Sequence, residues 1–526
     1  MADEVRESES KRQSEARQSE ARQSEARESE ARQSQARESE ECLTRFWEPP
    51  RILQTWEHKR AHGEIEHAVT WDEIFFDLSL VAAIASASTS LDFWQHHGAH
   101  DDGGHHDDGG HDDHGGHDDD HHRRLSGHAG ATMPFGASIA HFCLVTGMIT
   151  SCFVKATVQN ATVKSKDLTM VLSLFVRACC VLAIGAEAGL GAERLHNVFA
   201  SYACYNVVGL AQGLVILRYT RTSNALNLSV ASGASGVVSL AFAAALAPWG
   251  LDWDATTGIY VAWGVCAPFF FMGHALVHVV RAVLRKGAPS AWVLLPLNVS
   301  FVSERDGLLV IVTCGEAINA ASAILGRAAG SERLTATAVA AMLCGLLLKL
   351  MYFELQGHVG EHALRAGVLR GTAFGLLHLP LWTGIAGVGA ALHLASGDRG
   401  NDWRPRERRL FCGFLAATLV TLAAIQMTHL GRGAARRRVR GELRIAVRLA
   451  GAGIIAGLVW LPDAVHAMDI VLVAAAVMLA DFLFEFYGRR PPLEDRAKDV
   501  ELARPSVGAA VGAPEASPEA PAKDVV

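Results

Sequence analysis

An all-α, polytopic transmembrane bundle of about twelve spans is the fold class the sequence predicts, and three observations carry it. The chain has 526 residues, 50% hydrophobic but only 20% charged, below the roughly 25% charged residues of soluble domains. Its polar residues are gathered at the ends. Residues 1–73 and 488–526 are almost wholly charged and polar, whereas 135–487 is a succession of apolar runs rich in Ala, Leu, Val and Gly. Those runs are also long enough, since a hydrocarbon core of about 30 Å needs roughly 20 apolar residues per helix. Candidate spans fall at 74–94, 135–158, 167–187, 195–217, 228–249, 257–283, 305–327, 334–355, 371–395, 408–430, 445–461 and 467–487. The eleventh is short and the sixth long, which brackets the count at ten to twelve. Even ten leave no room for a large soluble domain.

Residues 1–63 form a low-complexity tail. A five-residue unit recurs over 6–40, as in Arg17-Gln18-Ser19-Glu20-Ala21 and Arg27-Glu28-Ser29-Glu30-Ala31. Five residues advance a helix by about 500°, so the Ala residues do not share a face. The tail reads as disordered or marginally helical, with an interaction arm as the alternative. No apolar segment precedes residue 74, so no signal peptide is expected and the first span directs insertion. At the other end, 488–526 reads as a disordered tail rich in Pro, Ala and Glu.

The first span opens Trp71-Asp72-Glu73-Ile74-Phe75-Phe76-Asp77-Leu78, with Glu73 and Asp77 four residues apart on one helix face. After it comes an insert, residues 96–128, holding eleven of the 24 His residues and nine Asp residues. His105, His106, His111, His114, His117, His121 and His122 are among them. Imidazole and carboxylate suit zinc, nickel or copper, and a loose His-rich tract captures such ions without fixed geometry. Weak transition-metal binding by this loop is the one cofactor expectation. The bland alternative is repeat expansion in a tolerant loop.

Charges inside the later spans are the next feature, since each costs about 2.5–3.5 kcal/mol at bilayer depth. Arg177 lies midway along the third span, Glu316 near the centre of the seventh, and Lys349 and Glu354 late in the eighth. Asp481 and Glu485 stand four residues apart in the twelfth, as do His274 and His278 in the sixth; His141 and His378 are isolated. Such groups either pair across helices, Arg177 or Lys349 with an acid for instance, or line a path for protons or small ions. Pairs such as Gly209/Gly213 and Gly453/Gly457 suggest close helix packing.

Several classes are disfavoured. The net charge of −7 comes without a basic domain, which argues against nucleic-acid binding. The ten Cys residues show no CxxC spacing and read as small apolar core residues. No phosphate-binding loop, nucleophile elbow or dinucleotide fingerprint occurs. Lys and Arg concentrate in the loops that would be inside if the amino terminus is cytoplasmic, so both termini are expected there.

Two segments, taken together, resemble the low temperature requirement A family of polytopic membrane proteins. Val69 to Leu78 is similar to the family's Thr-Trp-x-Glu-Leu-Phe-Phe-Asp-Leu. Glu304-Arg305-Asp306-Gly307-Leu308, followed by Gly315-Glu316, is similar to its Glu-Arg-Phe-Gly-Leu and Leu-Gly-Glu. His378-Leu379-Pro380 resembles a His-x-Pro element of a late span. The resemblance covers residues 64–487. It departs at Phe301, where the family has a His, and at Asp306, where it has a Phe. It implies an integral membrane protein and points to Glu73, Phe76, Asp77, Glu304, Arg305, Gly307, Gly315, Glu316 and His378 as motif residues. Acid-bearing motifs on the first and seventh spans suggest two six-helix halves, with a site where they meet.

The leading expectation is a channel or carrier for protons or small cations, with Asp77 and Glu316 on the path and Glu73, Glu304 and Arg305 as gate or counter-charges. A membrane sensor or scaffold with a metal-buffering His loop is the alternative, and a membrane-embedded enzyme the third. The expected partners are the lipid bilayer, a proton or small cation, and a second copy of the chain.

Overall fold

A computed structural model describes residues 51–52, 69–92, 134–220 apart from 162 and 165–167, 223–265 apart from 248–253 and 255, 298–394 apart from 329, 356–361 and 367, 403–429, and 441–489 apart from 463–464. The tails, the His/Asp insert with His105 to His122, and most of the expected sixth span, including His274 and His278, lie outside the described residues.

Among the described residues the helices run in chain order α1 Trp71–Ser88, α2 Phe135–Asn160, α3 Leu168–Gly189, α4 Leu195–Thr220, α5 Ser223–Leu246 and α6 Val299–Arg327, then α7 Glu332–Leu355, a single turn α8 Ala363–Ala366, α9 Val368–Leu394, α10 Pro405–His429, α11 Gly441–Gly457 and α12 Ala467–Arg489, with a further helical stretch over residues 256–265. Eleven of the helices are long and apolar enough to cross a membrane. The extended pairing among the described residues is a two-residue antiparallel bridge, Arg51–Ile52 with Val163–Lys164.

Local chemistry sets the helix ends. Thr70 and Glu73 form a reciprocal cap at the start of α1: the Glu73 N–H donates to Thr70 Oγ1 at 3.4 Å and the Thr70 N–H donates to Glu73 Oε2 at 2.8 Å. At α6, the Asn298 side chain accepts from the Phe301 N–H at 3.1 Å. That cap starts α6 six residues before the apolar run at 305, so Glu304, Arg305 and Asp306 lie inside the helix instead of at its mouth. Likewise α11 begins at Gly441, which places Arg444 within a helix rather than in the basic loop before it.

The helices assemble as a row joined to a ring. In the amino-terminal part α1 packs on α3, α3 on α4, and α4 on α5. In the carboxyl-terminal part α6, α7, α12, α11, α10 and α9 each touch the next, and α9 closes back on α6. Helix α2, the most enclosed of the spans, lies between them and touches α1, α3, α4, α5, α6 and α9. The two motif-bearing helices, α1 and α6, are in contact where row meets ring.

One apolar core runs through both parts, from Phe76 and Leu80 in α1 to Val471 and Met478 in α12. Large apolar side chains such as Phe175, Val237, Leu346, Ile454 and Leu483 are exposed around the perimeter, the distribution a lipid environment requires. Gly209 and Gly213 bring α4 against Ser232 and Ser229 of α5, as small residues at membrane crossings do. Gly453 and Gly457 meet nothing within 4 Å. The eight described Cys residues are all free.

Candidate functional site

The junction of α1, α2, α6 and α9 gathers most of the motif residues. Glu73, buried, spends its carboxylate on the α1 cap and on the Asn160 side-chain amide, which donates to Oε1 at 2.7 Å from the end of α2. One turn further along the same face, Asp77 meets Arg305 of α6: Nη2 donates to Oδ1 at 2.7 Å, with both side chains buried. A carboxylate and a guanidinium 228 positions apart thus form one desolvated ion pair. It joins the two motifs that lie far apart in the chain. Phe76 packs in the core.

Arg305 leads into an aromatic stack. Its guanidinium carbon lies 5.2 Å from the ring centre of Phe153 on α2, a cation–π distance. Phe153 meets Trp382 of α9 edge-on at 5.4 Å, and Trp382 meets His378 at 5.3 Å. His378 is fully buried and bonded at both ring nitrogens: Nδ1 lies 2.7 Å from the Phe374 carbonyl and Nε2 lies 3.0 Å from the Tyr352 hydroxyl. A carbonyl can only accept, so Nδ1 carries a proton. In the neutral ring, the Tyr352 hydroxyl then donates to Nε2. His362 and His429 flank Phe374 at 4.8 and 5.2 Å. Neither has a spacing signal in the sequence, and only the fold brings them beside His378.

Glu316 is unlike Asp77. It is buried midway along α6, and no Arg or Lys pairs with it among the described residues. Its Oε1 has no hydrogen-bond partner there. Its polar neighbours are His393 of α9 and Asn319 one turn along α6. A Cβ at Gly389 of α9 would overlap Glu316 Cβ and the α6 backbone, so the bare glycine lets α9 close onto the acid. Gly315 beside it is open: a Cβ there would meet nothing within 4 Å. Gly307 and Asp306 are buried in the same helix, whereas Glu304 is exposed.

A second ionic cluster lies in α10–α12. Arg444 donates to Glu485 at 2.5 Å and Arg448 to Asp481 at 3.0 Å, with a second Arg448–Glu485 contact at 3.7 Å. Gln426 of α10 completes it, accepting from Arg448 at 3.1 Å and donating to Glu485 at 3.1 and 3.2 Å. All four charged side chains are buried. Two cations face two anions, so this is an internally neutral fastening between helices.

Among the described residues Arg177 does not pair with an acid. Its Nη1 donates to Gln159 at 2.9 Å. Lys349 is exposed. Among the described residues no group of three or more His, Cys, Asp or Glu has the arrangement to hold a metal ion.

The family model of the bacterial low temperature requirement A protein (LtrA) matches residues 68–479, most of the chain and all three motif segments. No curated protein and no solved structure matches the chain.

Proposed function

The chain belongs to the low temperature requirement A family, and from that premise we propose that it is a membrane transport protein moving protons or small cations, with Glu316 as the group that takes up and releases the proton or ion. The observation that carries this reading is the contrast between Glu316 and the buried acids held by arginines. Asp77, Asp481 and Glu485 are each committed to an arginine. Among the described residues Glu316 has no arginine or lysine paired with it, and its Oε1 has no hydrogen-bond partner. A carboxyl group in that state can change protonation without breaking an ion pair, and intramembrane acids of this kind mark ion paths.

The Asp77–Arg305 pair takes the role of a gate. It stands at the contact of α1 and α6, between row and ring, where relative movement of the two parts would open it. The Lys and Arg distribution supports an orientation with both termini in the cytoplasm.

The test is flux into proteoliposomes containing the full-length protein, read by an enclosed pH dye and, separately, by potassium and sodium indicators. Wild type should conduct, and Glu316→Gln should lose most of that flux while remaining folded. Equal flux from Glu316→Gln and wild type, or no flux from wild type above empty vesicles, would refute the proposal. Deleting residues 96–128 should leave flux intact; its loss would favour a role for the His loop instead.

A further inference from the structure

We propose that the polar box enclosed by α2, α3, α4 and α5 is a binding site for a small monovalent anion of the halide class. Two cationic side chains meet there. Lys155 of α2 and Arg177 of α3 are both buried. They are linked through α2: Gln159, one turn beyond Lys155, accepts from Arg177. Lys155 Nζ donates to Asn206 Oδ1 at 2.6 Å, to the Tyr202 hydroxyl at 3.2 Å and to Ser235 Oγ at 3.2 Å. These acceptors are all neutral. Arg177 also lies 5.3 Å over the Tyr205 ring.

Among the described residues no carboxylate balances this charge. The buried Arg305, Arg444 and Arg448 each face an acid, whereas Lys155 and Arg177 make no ion pair among the described residues. The sequence explains why. Helices α2, α4 and α5 contain no Asp or Glu, and α3 contains only Glu187. Glu187 stands ten residues beyond Arg177, about 15 Å along the helix, and accepts from Asn197 instead. Residues 266–297, outside the described set, also lack acids. An arginine keeps its charge in any protein environment, so the box is cationic, and no acid among the described residues compensates it.

Arg177 keeps donors for that purpose, since only its Nη1 is hydrogen-bonded among the described residues. Arg177 Nε is buried without a hydrogen-bond partner, which costs free energy until an acceptor arrives. The three donors of the Lys155 ammonium are already taken, so it supplies charge and Arg177 the contact. Space favours a small ion: a Cβ at Gly209 of α4 would sit 3.2 Å from Arg177 Nη2 and 3.0 Å from Ser232 Oγ.

The experiment is equilibrium binding of radiolabelled chloride to the purified full-length protein, with bromide and gluconate as competitors at constant ionic strength. Wild type should bind saturably, with displacement by bromide and none by gluconate. Arg177→Gln should weaken binding by about tenfold or more, the loss expected for a charge-assisted hydrogen bond. Lys155→Met, which removes charge without touching the contact, should weaken it too, and serves if Arg177→Gln does not fold. Absence of saturable chloride binding by wild type, or binding unchanged in a folded Arg177 or Lys155 variant, would overturn the proposal.

Discussion

Replacing Asp77 by Asn isolates the ion pair that joins the two motif helices. Arg305 is fully buried, only its Nη2 is bonded, and Nε and Nη1 have no partner among the described residues. At the observed 2.7 Å separation, two unit charges attract by about 6 kcal/mol at an effective dielectric constant of about 20. An Asn in the same place keeps a hydrogen bond worth about 1–1.5 kcal/mol and leaves the arginine charge uncompensated. The net loss expected is about 3–5 kcal/mol, the usual cost of breaking a buried pair from one side. Arg305→Met strands the carboxylate instead and should cost a similar amount. The double variant removes both charges and should be more stable than either single one, with a coupling of at least about 2 kcal/mol. Unfolding of the purified protein in mixed micelles, followed by tryptophan fluorescence, measures all four states, and Trp382 lies in the adjoining stack. A single-variant cost below about 1 kcal/mol, or strictly additive effects, would refute the ion-pair account.

Two further outcomes follow from the packing. Glu485→Gln should destabilise more than Asp481→Asn, by the same unfolding assay. Glu485 serves both arginines and Gln426, whereas Asp481 serves Arg448 alone; equal losses would count against the network as drawn. Gly389→Ala should cost about 1–3 kcal/mol by overpacking α9 against Glu316 and should lower flux in proteoliposomes, and an alanine variant with wild-type stability would contradict the close approach.

The membrane class, the span positions and the motif residues were legible because apolar run length and residue type are local properties. Partnerships were not. Nothing in Asp77 or Arg305 taken singly tells that they meet across 228 positions, and their contact depends on α1 and α6 being neighbours. Arg177, read as either pairing across helices or lining an ion path, faces Gln159. Lys155 stands near the end of α2, where a long side chain is expected to reach the interface, yet it turns inward to Asn206. One missed signal was available. Asp481 and Glu485 are four residues apart, as are Arg444 and Arg448, and complementary pairs on consecutive spans can register face to face. Reading Arg444 as a loop charge hid that match, because the helix starts four residues earlier than its apolar run.

The α11–α12 fastening also bears on how the protein reaches its membrane. Helix α11 is only 17 residues long and carries Arg444 and Arg448 in its first half. At roughly 2.5–3.5 kcal/mol for an arginine at the bilayer centre, such a segment partitions poorly by itself when it leaves the ribosome. Its neutralising acids are on α12, made only afterwards. Because their charges cancel only when α11 and α12 are paired, the two spans are expected to enter lipid together as a hairpin, which in vitro translation halted before Glu485 would test.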